Sequence, residues 1–460
     1  MTAPWTPALP DGDAPIYERL VEALRADVES GALPAGTRLP PQRDLAHRLG
    51  LGLGTVTRAY VEAEKAGLVS AHVGRGSFVN APGAIASPRR REGPINLAQN
   101  VALNWPAARV IGETMQRLRR RPDLADHLDY APAAGLERHR RAAAAWLARS
   151  AGFETADWTR LVCCAGAQQG LALAFGAAVR PGDVVLCEAS TFHGVKALAA
   201  HAGYRLQGVA MDDEGAIPEA LEDAARRTGA QVVALLPTLQ NPTGRIMSLA
   251  RREAIVAIAR RLDLTLIEDD IYGAYAPGAP PPLAMLAPER TFHVSGVSKT
   301  LAPGLRAGFV IAPDDAALER ILDTMRAIAY APPGFGMLIA GQWIEDGTAG
   351  AILAEILEET AARVALARSV LGNALASPAS PTVPHLWLPM SELEAERLAG
   401  RALRGGAEVT PPAAPIVSPG LVTGVRLALG AAADRVELET GLRIVAAALT
   451  DVDERSRPVI

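Results

Sequence analysis

Apolar positions in IYERLVEALRADVESGAL recur at helical spacing from Ile16 to a stop near Gly31. LPPQRDLAHRLG follows as a short helix with Pro41 near its first turn, and LGLGTVTRAYVEAEKAG gives another helix after a Gly-containing turn. LVSAHVGRGSFV reads as two short strands around a turn at Gly74 and Gly76. Three helices and a hairpin predict a winged helix-turn-helix domain over residues 12–80, with a plain three-helix domain for protein contacts as the alternative. The Pro, Gly and Arg residues of APGAIASPRRREGP, 81–94, predict a flexible linker. Beyond Ile95 the pattern changes, and helical stretches alternate with continuous apolar runs such as VVLCEA, VVALLP and LTLIED. That alternation predicts an α/β domain with a mostly parallel central sheet and helices on both faces.

Composition narrows the function classes only a little. A chain of 460 residues, 49% hydrophobic, has room for two or three domains and a large core. Its net charge of -4 gives no global field that would draw in nucleic acid, so DNA contact depends on local placement. In the N-terminal module Asp27, Glu29, Asp44, Glu62 and Glu64 offset the arginines. Even so, Arg38, Arg43, Arg48, Arg58 and Arg75 fall in or beside the turn, the second helix and the wing, where phosphates lie. The triplet Arg89–Arg91 reads as a solvated linker segment that can also touch phosphates. Cys163, Cys164 and Cys187 sit in apolar runs without metal-ligand spacing, which predicts a reduced setting and no zinc site. The N-terminus has neither a basic start nor an apolar run, and no later segment is long and apolar enough to span a bilayer, so a soluble cytoplasmic protein is expected.

The candidate chemistry centres on Lys299 in VSGVSKTLAPGLRAGF. A lysine whose pKa is lowered by burial or by a nearby cation can condense with an aldehyde. Ser295, Ser298, Thr300, Gly304 and Arg306 around it suit a phosphate, and together the run points to pyridoxal phosphate. In LVCCAGAQQGLALAF, Ala165, Gly166 and Ala167 open a helix whose N-terminus is an anion site or simply a tight turn. VVLCEASTFHG offers Phe192 for stacking on a flat ring or for the core, and His193 as an acid or base. In LLPTLQNPTG, Asn241 can turn its amide toward a ligand. LTLIEDDIYGAY ends a strand on Glu268, Asp269 and Asp270, either a helix N-cap cluster or a source of the carboxylate that keeps a pyridine nitrogen protonated. Tyr272 can bond a phenolic oxygen.

RLPPQRDLAHRLG, TVTRAY and GLVSAHVGRGSFV resemble the DNA-binding domain of the GntR family of bacterial regulators. The resemblance implies that Arg43 contacts DNA, that Thr55, Thr57 and Arg58 sit on or beside the recognition helix, and that Arg75 with Gly76 forms the wing tip. One departure stands out: Gly52, Leu53 and Gly54 replace the Ser-Arg or Thr-Arg pair that many members carry at the start of that helix.

The later segments, in their order, resemble the fold-type I aminotransferases of class I/II over residues 95–455. This implies a large part over about 111–320 and a smaller α+β part from 95–110 and about 321–455. It also implies that Lys299 is the Schiff-base lysine, that Asp269 partners the pyridinium nitrogen, that Asn241 and Tyr272 bind the phenolic oxygen, and that Phe192 stacks on the ring. Gly166, Ala167, Ser298 and Arg306 would surround the phosphate, Tyr130 would reach it from a second subunit, and Arg426 in GVRLALG would grip a substrate carboxylate. Gly296 stands where many members have a phosphate-binding serine, with Ser295 adjacent to compensate, and phenylalanine replaces the frequent tyrosine or tryptophan at the stacking position.

The two modules in this order resemble the MocR subgroup of regulators. That resemblance implies a dimeric, pyridoxal phosphate-dependent transcription regulator that binds double-stranded operator DNA and senses the cofactor or an amino compound joined to it as an external aldimine. A working aminotransferase with an accessory DNA-binding module is the main alternative, and a cofactor-free dimerisation scaffold is a third.

Overall fold

A computed structural model of the chain describes residues 5–10, 12, 14–34, 36–72, 76–80 and 93–450. Arg75, Gly74 and the triplet Arg89–Arg91 lie outside the described residues. The chain divides into two compact units, Met1–Glu92 with Ala108–Gly112, and Gly93–Ala107 with Glu113–Ile460.

In the first unit, helices α1 (Ile16–Glu29), α2 (Gln42–Leu49) and α3 (Leu53–Lys65) precede strands β1 (Val69–His72) and β2 (Gly76–Val79). The strands pair antiparallel, from Val69 opposite Val79 to His72 opposite Gly76. Leu20, Leu24, Leu45, Val56, Ala59, Val69 and Val79 form one buried core, the apolar face that the helical spacing predicts. α2 stops at Gly50, whose φ of 65° is a left-handed conformation that lets the chain turn sharply into α3. The winged helix-turn-helix expectation is met.

The second unit opens with β3 (Ile95–Leu97), α4 (Trp105–Leu118) and α5 (Glu137–Ala151), and builds a seven-stranded sheet from β4 (Leu161–Cys164), β5 (Val184–Glu188), β6 (Arg205–Val209), β9 (Val232–Leu235), β10 (Thr265–Asp269), β11 (Thr291–Gly296) and β12 (Gly308–Ile311). Between β6 and β9 lies a two-residue hairpin of β7 (Met211–Asp212) and β8 (Gly215–Ala216). The sheet order is β4-β12-β11-β10-β9-β5-β6, and β12 runs antiparallel to both of its neighbours while the remaining pairs are parallel. Successive side chains alternate between faces: Val185 and Cys187 join one apolar layer, whereas Leu186 joins the other. Covering both faces requires the uninterrupted apolar runs seen in the sequence. β3 pairs in parallel with β14 (Ala407–Val409), and β13 (His385–Pro389) pairs antiparallel with β15 (Gly424–Ala428), with Trp387 opposite Arg426.

The acidic end of β10 is organised by partners that are remote in sequence. Glu268, fully buried, accepts the backbone N–H groups of Leu283 (2.8 Å) and Ala284 (3.0 Å), the first residues of the short helix Leu283–Leu286, and faces His293 Nδ1 at 3.2 Å. The N-cap alternative therefore applies to Glu268, on a helix the local sequence does not suggest, and leaves Asp269 free of that duty. Buried Arg252 donates to the carbonyls of Met247, Pro237 and Pro281 and to the Thr238 hydroxyl, fixing the loop after β9.

Two glycines let the sheet and the next helix, α6 (Ala167–Ala178), meet closely. A Cβ on Gly308 would lie 2.5 Å from the Gly166 carbonyl carbon, and a Cβ on Gly166 would lie 2.7 Å from Arg306 Nη2. Both clashes involve Gly166, at the start of α6. Gly308→Ala is therefore expected to destabilise the fold by about 1–3 kcal/mol, the usual cost of overpacking a core, as measured by chemical denaturation.

Candidate functional site

At the carboxyl ends of the parallel strands of the second unit lies a cavity of about 560 Å³. This is where open α/β sheets take ligands. Lys299, Asp269, Asn241, Tyr272, Phe192 and Arg426 line it, as do Ala167, Ser298 and Arg306. Residues from six separate stretches of chain are thus brought to one place.

One end is built for an anion. Gly166, with φ 80°, is the N-cap of α6 and has no side chain to cover the free backbone N–H groups of the first turn. Arg306 sits beside it in a left-handed conformation, φ 49°, and its Nη2 donates to the Ala165 carbonyl at 2.7 Å. Ser298 also lines the cavity. Ser295 does not: its hydroxyl donates to the Asp270 carbonyl at 2.9 Å within the sheet. Nor does Gly296 leave room for a serine, because a Cβ there would lie 2.9 Å from the Ala307 carbonyl oxygen. The expected compensation of Gly296 by Ser295 is therefore corrected, since neighbouring strand residues face opposite ways. Thr300 is buried without lining the cavity.

Lys299 and Asp269 both line the cavity and act on each other's titration. Burial lowers the Lys299 amine to about 8, helped by the positive charges of Arg426 and Arg306 and opposed by Asp269. Its Nζ donates to the Asn100 carbonyl. Burial raises the Asp269 carboxyl to about 7, assisted by Asp270 and opposed by the Ile271 N–H and by Lys299. Asp269 Oδ1 is buried without a hydrogen-bond partner among the described residues. A buried carboxylate oxygen left open in this way can accept a proton-bearing ring nitrogen.

At the other end, buried Arg426 donates from Nη1 to Asn241 Oδ1 (2.8 Å), from Nε to Thr410 Oγ1 (3.1 Å) and from Nη2 to the Ala98 carbonyl (2.7 Å). Among the described residues no carboxylate pairs with it, so the guanidinium can still take a ligand carboxylate. Asn100 Nδ2 donates to the Tyr272 hydroxyl at 2.8 Å and lies 3.0 Å from His385 Nδ1. His385 Nε2 faces the Gln240 carbonyl at 3.0 Å, and a carbonyl only accepts, so Nε2 carries the proton and Nδ1 accepts from Asn100. Burial drives His385 down to about 3, which keeps the ring neutral, as this tautomer requires. His193 also lines the cavity, its pKa pushed down by burial and then by Arg426, Lys196 and Lys299.

Sequence reasoning missed Asn100, Thr410, His385 and Lys196. Lys196 on α7 (His193–Ala202) donates to the carbonyls of Ala413 (3.1 Å), Ala414 (2.9 Å) and Ile416 (2.7 Å), tying down a loop whose Pro411 and Ala414 wall the cavity. None of these residues belongs to a recognisable spacing; the only signal was position after a strand or near a proline. Tyr130, in contrast, is 78% exposed, packs edge-on against Tyr330 with ring centroids 4.9 Å apart, and does not reach the cavity of its own chain.

In the first unit, Arg43 is exposed on the first turn of α2 and Thr55 is half-buried on α3. The Thr57 hydroxyl donates to Gln42 Oε1 at 2.9 Å. The Arg58 guanidinium lies 3.9 Å above the Tyr17 ring and donates to its hydroxyl at 3.1 Å. Gly76 opens β2 with φ 102° against the Arg38 side chain. Among the described residues no helix is long and apolar enough to cross a membrane, and no group of three His, Cys, Asp or Glu is arranged to hold a metal.

Aminotransferase class I and II is the family that matches residues 92–445, and the bacterial regulatory proteins of the gntR family match residues 16–79. An uncharacterized HTH-type transcriptional regulator of Bacillus subtilis, YdeF, is 30% identical over 313 residues, covering 67% of this chain and 67% of the relative. The probable rhizopine catabolism regulatory protein MocR of Rhizobium meliloti is 28% identical over 338 residues, with 67% of each chain covered. Among solved structures, an archaeal alanine:glyoxylate aminotransferase superposes with a TM-score of 0.69 at 24% identity, over 78% of this chain and 91% of that one, which shows the fold.

The site's electrostatics carry two expectations. Because the Asp269 pKa rises from 3.8 to about 7 on folding, its carboxyl costs nothing at low pH, and the cost grows as pH climbs through that window. Asp269→Asn is expected to leave stability unchanged near pH 4 and to raise it above pH 7 by up to about 4 kcal/mol, read from thermal melts of the ligand-free protein across pH. Ser295→Ala is expected to cost about 1 kcal/mol of stability from its lost bond inside the sheet. Unlike Ser298→Ala, it should leave phosphate affinity alone in a binding titration with inorganic phosphate.

Proposed function

Because the chain belongs to the aminotransferase class I and II family and carries a GntR-type winged helix ahead of that domain, we propose that it is a transcription regulator of the MocR kind, binding operator DNA through the winged helix and detecting an amino compound through bound pyridoxal phosphate. The observation that carries this reading is the open, buried Asp269 Oδ1 in the same cavity as an amine lowered to about 8. A regulator is favoured over an enzyme by the relatives YdeF and MocR, which are named as HTH-type or regulatory proteins and match this chain over two thirds of their length.

In this reading the N-terminus of α6, Ser298 and Arg306 hold the phosphate, Phe192 packs on the ring, Asp269 keeps the ring nitrogen protonated, and Asn241 and Tyr272 bond the phenolic oxygen. Gly166 and Ala167 contribute by letting their backbone come close. The cofactor supplies an electrophilic aldehyde that an amine can join. Lys299 brings to it an amine with an available lone pair near neutral pH, and Arg426 binds a carboxylate on the incoming compound.

The same two cations suggest how occupancy is signalled. Lys299 donates to the Asn100 carbonyl and Arg426 to the Ala98 carbonyl, so both hold the segment 98–100. Ligand groups that take these donors release that segment, which follows directly on β3 and the linker. Thr410 donates to the Ala98 carbonyl as well, so the loop of the opposite wall shares in the exchange. A ligand acts as an effector only to the extent that it favours one arrangement over the other. We further propose a homodimer in which the partner's Tyr130 completes each phosphate site and two winged helices match the spacing of two half-sites.

A spectral titration of the full chain tests this. Pyridoxal phosphate is expected to give a visible absorbance band with the wild type and none with Lys299→Ala. A panel of amino acids should then shift the band and change affinity for DNA. Arg426→Met is expected to raise the half-saturating amino acid concentration about 30-fold or more, as for loss of one buried charge-assisted pair. Sustained conversion of amino donor and keto acid without any change in DNA binding would move the protein to the enzymes.

A further inference from the structure

The start of α3 is unusual in what it exposes. Its inner face, Val56, Ala59, Tyr60 and Ala63, is buried in the core of the winged helix. On its outer face, Thr57 is committed to Gln42 and Arg58 to Tyr17, so the polar groups best placed to read a base edge already have partners within the unit. Leu53, the first residue of the helix, is 43% exposed and lies outside the apolar cluster of the unit. Beside it, Gly54 has nothing within 4 Å of where a Cβ would stand, and Gly52 has only Thr55 Oγ1, at 3.8 Å. Leu53 is thus a single apolar knob on a bare stretch of backbone that can approach another surface closely.

In a winged helix the N-terminal residues of this helix enter the major groove. The apolar group offered there is the C5 methyl of thymine, whereas guanine offers only acceptors that suit an arginine or lysine. We propose that Leu53 reads a thymine methyl in each half-site, so that a T·A pair is selected at the position where the commoner arginine would select guanine. The missing side chains at 52 and 54 allow the close approach such a contact needs. This inference rests on the DNA-binding reading above. It gives Leu53 a reason to be in water that the fold alone does not provide, because an exposed leucine adds nothing to the core.

The test uses the full chain and a pool of randomised duplexes. Bound duplexes are selected over several rounds, the preferred one is synthesised, and each thymine in turn is replaced by deoxyuridine, which lacks only the methyl. At one thymine per half-site the wild type is expected to bind roughly four-fold more weakly after replacement, the factor corresponding to one buried methyl group. In Leu53→Ala that discrimination between thymine and uracil should disappear at the same position. Leu53→Arg should shift the selected base there toward guanine. Equal binding of all thymine and uracil duplexes by the wild type, or full discrimination retained by Leu53→Ala, overturns the proposal. Selection of no sequence at all overturns it too, but in a separate way, because it removes the DNA-binding reading on which it stands. Since Leu53 is outside the core, both variants are expected to melt with the wild type, and an unchanged melt ties any altered readout to the contact itself.

Discussion

Everything at the cavity depends on keeping Lys299 and Asp269 close together, out of water, and not paired with each other. A full ion pair would silence both groups, and isolated burial of either would be prohibitive. The fold solves this by dividing the costs. Backbone carbonyls and a neutral histidine lie on the cationic side, while burial and Asp270 raise the carboxyl on the other to about 7, so that it is only partly ionised near neutral pH. Behind it, Glu268 is satisfied by a helix start and by His293 Nδ1, while Asp269 Oδ1, like Asp270 Oδ1 and His293 Nε2, is buried without a hydrogen-bond partner among the described residues.

The end of the cavity at the start of α6 follows a different rule, that of close approach. Gly166, Gly296 and Gly308 stand where strand, turn and helix backbones nearly touch, and Arg306 is packed against the first of them. Its left-handed backbone turns the guanidinium back over the start of α6. Gly296 thus belongs to a local packing solution in which a hydroxyl has no space, and the donors left at this end are backbone N–H groups and one arginine.

Much of this was legible in the sequence because the motifs are local. The run from Ser295 to Arg306 encodes a strand, a turn and a cation in one stretch, and the EDD cluster ends a strand whose apolar character is plain. The two periodicities also separated the winged helix from the α/β unit. What escaped was non-local or directional. Thr410 meets Arg426 and the Ala98 carbonyl where β3 pairs with β14, and no local pattern announces a parallel pair between such distant segments. Ser295 was misjudged because its side-chain direction depends on strand register. Glu268 caps a helix fifteen positions further on, by bonds to Leu283 and Ala284, which only the folded sheet brings within reach.

The pairing of β3 with β14 also orders events in time. Ile95–Leu97 is made early in synthesis but has to wait for Ala407–Val409, since residues 98 to 406 must first be made and threaded between them. Contacts of such long sequence separation form late and slowly. The winged helix, whose core draws only on its own residues, can be complete on a nascent chain while the sensing cavity still lacks a wall. A prematurely ended chain would therefore carry a finished winged helix without the cavity that the rest of the chain builds, one unit's fold intact and the other's site missing.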